Sequence, residues 1–372
     1  MTKPASWTFA GPVRPPLAAA LGLLLLILLG AGWWLRPAAF LAAWLAAWWF
    51  WTGLALGSVA NVWLHDLTGG AWGEAIREPL LRFSRTFWIA APLFLPILLG
   101  MQDLFPWAAQ AADGAARWSG ELSAPGFKNA WLSPDFFIVR SIGYLLVWSA
   151  LVYLSQPGRM ARVQGFSAAA LIVYGGTVGL ASVDWLMSLM PLWKSSIFGW
   201  LVGVGQMLGG MALGTVFAAR RAKRPGGIVS ASLFRDLGNL MLMYVMSWAY
   251  LGFSQFLIIW AENLPHEISW YIPRSQGVWL AVAWLLSVGL FALPLLILLS
   301  RHAKQMPGIM AWLARLLLLM QCVNTCWLVL PSLPIGNRHW LWALPLCGAA
   351  MLASCALAWH WSAYRETEEH HA

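Results

Sequence analysis

The chain is a succession of apolar runs, each about twenty residues long, separated by short polar breaks. The runs fall at 17–35, 38–60, 84–102, 135–154, 165–187, 196–219, 237–261, 277–299, 308–330 and 341–361. A helix needs ~20 apolar residues to cross the hydrocarbon of a bilayer. Helices that are apolar all round need lipid or other such helices as neighbours. The pattern therefore predicts an all-α integral membrane protein with about ten transmembrane helices and no separate soluble domain. Gly and Pro inside several runs are compatible with this, because lipid-embedded helices tolerate them. The longest polar stretch, Asp103–Pro134, has room for a short surface helix or for partner contacts. The first run lacks a small-residue cleavage site, and the second starts directly after Arg36-Pro37. It is therefore expected to be a retained helix rather than a signal peptide.

Composition strengthens this picture. The 372 residues are 60% hydrophobic and 10% charged, with a mean hydropathy of +0.67. A soluble domain carries about 25% charged residues. Of the 28 tryptophans, many sit at run ends (Trp33, Trp34, Trp63, Trp107, Trp193, Trp270, Trp340 and Trp359), where amphipathic rings suit headgroup depth. Others, such as Trp44, Trp48, Trp49 and Trp51, lie within a run, to fill volume or face lipid. Cys322, Cys326, Cys347 and Cys355 all lie in apolar runs with no CxxC, and read as packing residues.

The net charge of +9 is distributed unevenly. The side that carries both termini has 15 Lys and Arg residues and the other side 7. The positive-inside rule then puts both termini in the cytoplasm. Basic loops of this kind meet anionic headgroups, so no nucleic-acid partner is implied.

Ionisable and polar groups at membrane depth are functional candidates because they are costly there. Asp184 is the clearest. It is either a proton carrier or half of a structural ion pair; the sequence does not assign its partner, and Arg140, near the outer end of the fourth run, is a candidate. On the seventh run, Tyr250 and Ser254 share a helix face. With Gln255 and Glu262 they line either a hydrated path or a polar interhelical seam. Gln206, Arg315, Gln321, Asn324 and Thr325 read as contacts between helices. His65, Asp66, Glu74, Arg77 and Glu78, with Arg235-Asp236, cluster at the inner boundary, where a proton from the cytoplasm would enter. The proton-path candidates are thus Asp184, Glu262, Asp236, His65, Tyr250, Ser254, Gln255 and Arg140. No two histidines sit at matching depth to ligate a b-haem, and His370-His371 reads as a tail. There is no P-loop, GxGxxG, GxSxG or HExxH.

Four stretches, in order, carry a resemblance: His65-Asp-Leu-Thr-Gly-Gly-Ala-Trp-Gly73; Ser182 to Gly199 (Ser-Val-Asp-Trp-Leu-Met-Ser-Leu-Met-Pro-Leu-Trp-Lys-Ser-Ser-Ile-Phe-Gly); Arg235-Asp-Leu-Gly238; and Ser247–Trp260 leading to Glu262–Tyr271. Over residues 40 to 300 the chain resembles the smaller large membrane subunit of alternative complex III, a bacterial quinol:cytochrome c oxidoreductase. That subunit is similar in fold to the polysulfide-reductase membrane subunits. The resemblance implies two four-helix bundles, about 38–187 and 196–330, flanked by helices 17–35 and 341–361. It implies no cofactor on this chain, with haems and iron–sulfur clusters in partner subunits and quinone as the mobile substrate of the assembly. The implied partners are a sister membrane subunit, periplasmic iron–sulfur and multihaem cytochrome subunits and a terminal oxidase. The implied role is quinone access, assembly and proton transfer in a bacterial inner membrane. Asp184, Trp185, Ser188, Trp193, Ser195, Asp236, Tyr250, Gln255, Glu262, Glu267 and Trp270 match the family's positions, as do His65, Thr68, Gly69 and Gly70 in the loop motif. The chain departs from the family at Met190, usually acidic there, at Leu192, often His, at Arg235 and Asn239, commonly His and Lys, and at His266, usually Glu. A divergent relative attached to an oxidase is the alternative, and a secondary transporter, for which no inverted repeat is visible, is the reading from another class.

Overall fold

The computed structural model describes residues 15–112, 130–223, 230–333 and 339–369. Most of the loop 103–134 and the His370-His371 tail lie outside the described residues. Among the described residues there are helices and no strand, and nine helices are long and apolar enough to cross a membrane. The chain is an all-α, multi-pass membrane protein. The helices are α1 (Pro15–Leu35), α2 (Pro37–Thr68), α3 (Ala71–Leu99, interrupted), α4 (Pro134–Leu154), α5 (Gln164–Trp185), α6 (Phe198–Ala222), α7 (Ala231–Glu262), α8 (Gly277–Leu299, interrupted), α9 (Pro307–Val329) and α10 (Trp340–Glu369). The first expected crossing, 17–35, coincides with α1, which is not among those nine. The loop 103–134 carries a short helix at Pro106–Ala112.

Burial ranks the helices. The apolar windows of α2 and α6 are 83% and 78% buried, whereas that of α7 is 22% buried. α2 and α6 therefore form the hub, and the other helices keep wide faces to lipid. The hub forms because glycines let two backbones touch. A Cβ placed on Gly57 would lie 1.9 Å from the Gln206 carbonyl oxygen, and one on Gly210 would lie 2.4 Å from the Gly57 carbonyl carbon. In lipid no hydrophobic force drives helices together, so close backbone approach and the dispersion contacts it permits hold the pair. Asn61 fastens the same seam. Its Nδ2 donates to the carbonyls of Gly57 (2.7 Å) and Met207 (2.8 Å), and its Oδ1 accepts from the Tyr244 hydroxyl of α7 (2.8 Å).

The connection between the second and third expected crossings, 38–60 and 84–102, is far shorter than those runs imply. α2 continues through His65 and Asp66 to Thr68, and the connection to α3 is Gly69-Gly70 alone. Both glycines have positive φ, 69° and 101°, a region that favours glycine. The expected third crossing begins earlier for this reason, at Ala71 rather than at 84.

The tryptophans inside α2 fill volume rather than face lipid. Trp44, Trp48, Trp49 and Trp51 are each at most 6% exposed. They also serve α3, which passes through a 3₁₀ turn at Ala91–Phe94 that contains Pro92 and is followed by Pro96. Trp44 Nε1 donates to Leu93 O at 2.8 Å and Trp48 Nε1 to Ala90 O at 2.7 Å. A broken helix in hydrocarbon needs such donors for its loosened carbonyls.

Gly210→Val should lower the detergent unfolding midpoint, by an overpacking cost of about 3 kcal/mol or more. Gly176→Ala, where an added Cβ meets nothing within 4 Å, should leave it unchanged or slightly raised. Thermal unfolding followed by tryptophan fluorescence compares them; equal midpoints would refute the crossing as the hub.

Candidate functional site

Three polar constellations and one cleft emerge from the packing. The first joins α4 and α5 around Asp184, which is fully buried. Arg140 Nε donates to Asp184 Oδ2 at 2.9 Å and its Nη2 to Oδ1 at 3.0 Å. Trp131 Nε1 adds a bond to Oδ1 and the Tyr144 hydroxyl one to Oδ2, both at 2.8 Å. The guanidinium also lies over the rings of Trp131 and Phe136, 4.1 and 4.3 Å from their centroids. Four donors occupy the carboxylate, so a proton could enter only by displacing one of them. This is the geometry of a structural ion pair, and it ties the start of α4 to the end of α5.

The second constellation sits at the α2–α3 turn. His65 is buried, and its Nε2 bonds to Gly70 O at 2.8 Å, while its Nδ1 has no partner. A Cβ on Gly73 would fall 2.0 Å from the His65 ring, so that glycine lets α3 pass over the imidazole. The neighbouring Asp66 pairs with Arg77 and accepts from Ser167 Oγ at 2.9 Å. Glu74 and Arg162 form an exposed bidentate pair at 2.8 and 2.9 Å. His65, Asp66, Glu74 and Arg162 line an open depression of about 450 Å³.

The third surrounds Arg274, 1% exposed in the connection between α7 and α8. Its guanidinium donates to the carbonyls of Trp270 (2.8 Å), Trp327 (3.2 Å) and Leu328 (2.7 Å) and to Ser332 Oγ (2.7 Å). The carbonyls of Trp327 and Leu328 belong to the last turn of α9, where the helix dipole favours a cation. Met190, which stands where the resembled family carries an acid, places its sulfur 3.9 Å from Arg274 Nη1. Burial pushes the Arg274 guanidinium pKa down and the nearby Tyr271 phenol up.

Above Arg274 opens the cleft, about 530 Å³, between α7, α8 and α9. Its walls are apolar: Leu201, Phe253, Phe256, Leu286 and Phe291 are among them. Tyr250 and Phe253, 69% and 63% exposed, stand at its mouth, so it opens sideways into the bilayer. The wall from α8 passes through a stretch of π-helix, Ser287–Ala292. Such bulges occur often at functional sites. The polar groups are few. Gln255 accepts from Ser195 Oγ at 2.9 Å and donates to the Tyr271 hydroxyl at 3.3 Å. Asn324 adds an amide, and Trp248 and Trp327 carry indole N–H groups with no partner.

The sequence candidates are thus brought together only in part. Arg140 and Asp184 meet, and Gln255 and Tyr250 share the cleft. Ser254 is half-buried beside it. Glu262 is exposed at one end of α7, while Asp236 lies near the other end, half-exposed, 3.8 Å from Arg235. Their separation of 26 positions corresponds to about 39 Å along a helix. Asn61, Tyr244 and Arg274 had not stood out as site residues. The i, i+4 series Gly53, Gly57, Asn61, His65 on α2 is the signal that marks the first of them. Compared with known proteins, the chain matches no family model and no curated protein.

Asp184→Leu should destabilise the fold by about 3–5 kcal/mol, because Arg140 is left as an unpaired buried charge. The double variant Arg140→Leu/Asp184→Leu should recover part of that loss. Denaturant titration of the four-member cycle checks this; additive effects would show that the pair does not anchor α4 to α5.

Proposed function

We propose that this protein is a membrane subunit of a respiratory quinol-oxidising assembly of the alternative complex III type, and that its cleft admits the quinone. The cleft carries the reading. A volume of about 530 Å³ lies within the ~300–1,000 Å³ typical of small-molecule sites. Its lateral mouth suits a ligand that arrives through lipid, its apolar walls suit an isoprenoid tail or ring, and its few amide and indole groups suit a ring carbonyl or hydroxyl. The four ordered motifs support the same reading: two of them, Ser182–Gly199 and Ser247–Tyr271, supply Ser195, Gln255, Trp270 and Tyr271 around the cleft.

In this reading haems and iron–sulfur clusters sit in periplasmic partner subunits, beside a sister membrane subunit. The membrane is the bacterial inner membrane, with both termini in the cytoplasm. The depression lined by His65, Asp66, Glu74 and Arg162 then faces the cytoplasm as the entry for protons. Met190 in place of the family's acid favours a second arrangement, in which this divergent subunit accompanies a terminal oxidase without the full complex.

Isolation from native membranes should bring down haem- and iron–sulfur-containing partners with quinol-dependent reduction of cytochrome c. In the isolated chain, decylubiquinone should quench tryptophan fluorescence saturably, and Trp327→Phe should weaken that binding by about threefold to tenfold. A lone protein with no respiratory defect on deletion and no saturable quenching would defeat the proposal.

A further inference from the structure

The cleft does not end at Asn324. Behind it lies a second, small cavity of about 30 Å³ between α2, α6 and α9, which shares Asn324 and Leu328 with the cleft. Its walls include Gly53, Gly205, Gln206, Gln321 and Thr325. The side chains of Gln206 and Gln321 are buried, at 7% and 5% exposure. The Gln206 Oε1 accepts from the Tyr174 hydroxyl at 3.0 Å, and the Gln321 Oε1 lies 3.5 Å from Asn324 Nδ2. The amide nitrogens of both residues have no partner. Unpaired amide donors in the interior of a membrane protein are what such folds avoid. The packing does not relieve them, because a Cβ on Gly205 would sit 3.2 Å from Gln321 Oε1 and the glycine leaves that space open.

A water needs roughly 10–15 Å³ of room and two to four polar partners. This cavity supplies both. Two amides can donate to it, and Thr325 Oγ1, whose own proton goes to Gln321 O at 2.9 Å, can accept from it. The backbone contact between Gly57 and the Gln206 carbonyl closes the seam one turn further along α2. The Asn61 cluster lies beyond that contact, whereas Asn324 and Leu328 are walls of both the cavity and the cleft.

We propose that this cavity holds one ordered water, bound by the side chains of Gln206, Gln321 and Thr325, and that through Asn324 it forms the polar anchor of the cleft for a ring carbonyl or hydroxyl. The second half rests on the reading of the cleft as a quinone site; the first half stands without it.

The test uses the full chain in lipid nanodiscs. Cryo-electron microscopy at a resolution that shows water should reveal one solvent peak within hydrogen-bond distance of both glutamine amides, absent from Gln321→Leu. The same variant should raise the decylubiquinone Kd by about tenfold, while the Kd of dodecylbenzene, an apolar probe of similar length, stays unchanged. If Gln321→Leu does not fold, Gly205→Ala, which fills the same space with one methyl, should give the same two effects. An empty cavity in the unaltered chain overturns the water site. A peak with an unchanged quinone Kd in either variant overturns the anchor. A peak in a chain with no decylubiquinone affinity supports the water site and defeats only the reading of the cleft.

Discussion

Everything in this fold is arranged around the place where α2 and α6 touch backbone to backbone at Gly57, Gln206 and Gly210. In water, apolar helices would be driven together by the surface they bury. In lipid that drive is absent, and association rests on shape, dispersion and hydrogen bonds. Glycine meets the first two conditions by removing side chains from the crossing. Asn61 meets the third by reaching across to the Met207 carbonyl and by accepting from Tyr244. With that pair fixed, the buried faces of α5, α7, α9 and α10 have one surface to pack on, and their other faces remain for lipid.

The same medium explains how charge is handled. Asp184 is buried with its guanidinium partner and two further donors, and Arg274 is buried among carbonyls at the end of a helix. Both are single ionisable groups that would be costly alone at this depth. One is neutralised by an opposite charge, the other by helix carbonyls and aromatic faces, including the Trp270 ring 3.7 Å from its guanidinium carbon. The open charged cluster, with Asp66, Glu74, Arg77 and Arg162, lies instead at the end of the bundle around the α2–α3 turn.

The cleft follows from these constraints. The π-helical stretch of α8 and the turn held by Arg274 frame it, and α7 and α9 supply its walls. Because α7 is largely exposed, the cleft meets lipid directly, and an apolar ligand would reach it without crossing water.

The sequence by itself determined the class of this protein. Apolar runs of the length of a bilayer and a near absence of charge leave only a bundle of spanning helices. Arg140 was also visible as a candidate partner of Asp184, because so few ions lie at depth that each has few partners to choose from. The tertiary structure decided what periodicity does not encode: that α2 and α6 form the hub, that α3 begins directly after two glycines, and that Gln255, Asn324 and two tryptophans share one cleft. Those residues, Trp248 and Gln255 on α7 and Asn324 and Trp327 on α9, are 3 to 79 positions apart along the chain. In a chain where nearly every face is apolar, hydrophobicity does not say which face meets which; small residues and a few hydrogen bonds do, and their effect exists only once the helices are side by side.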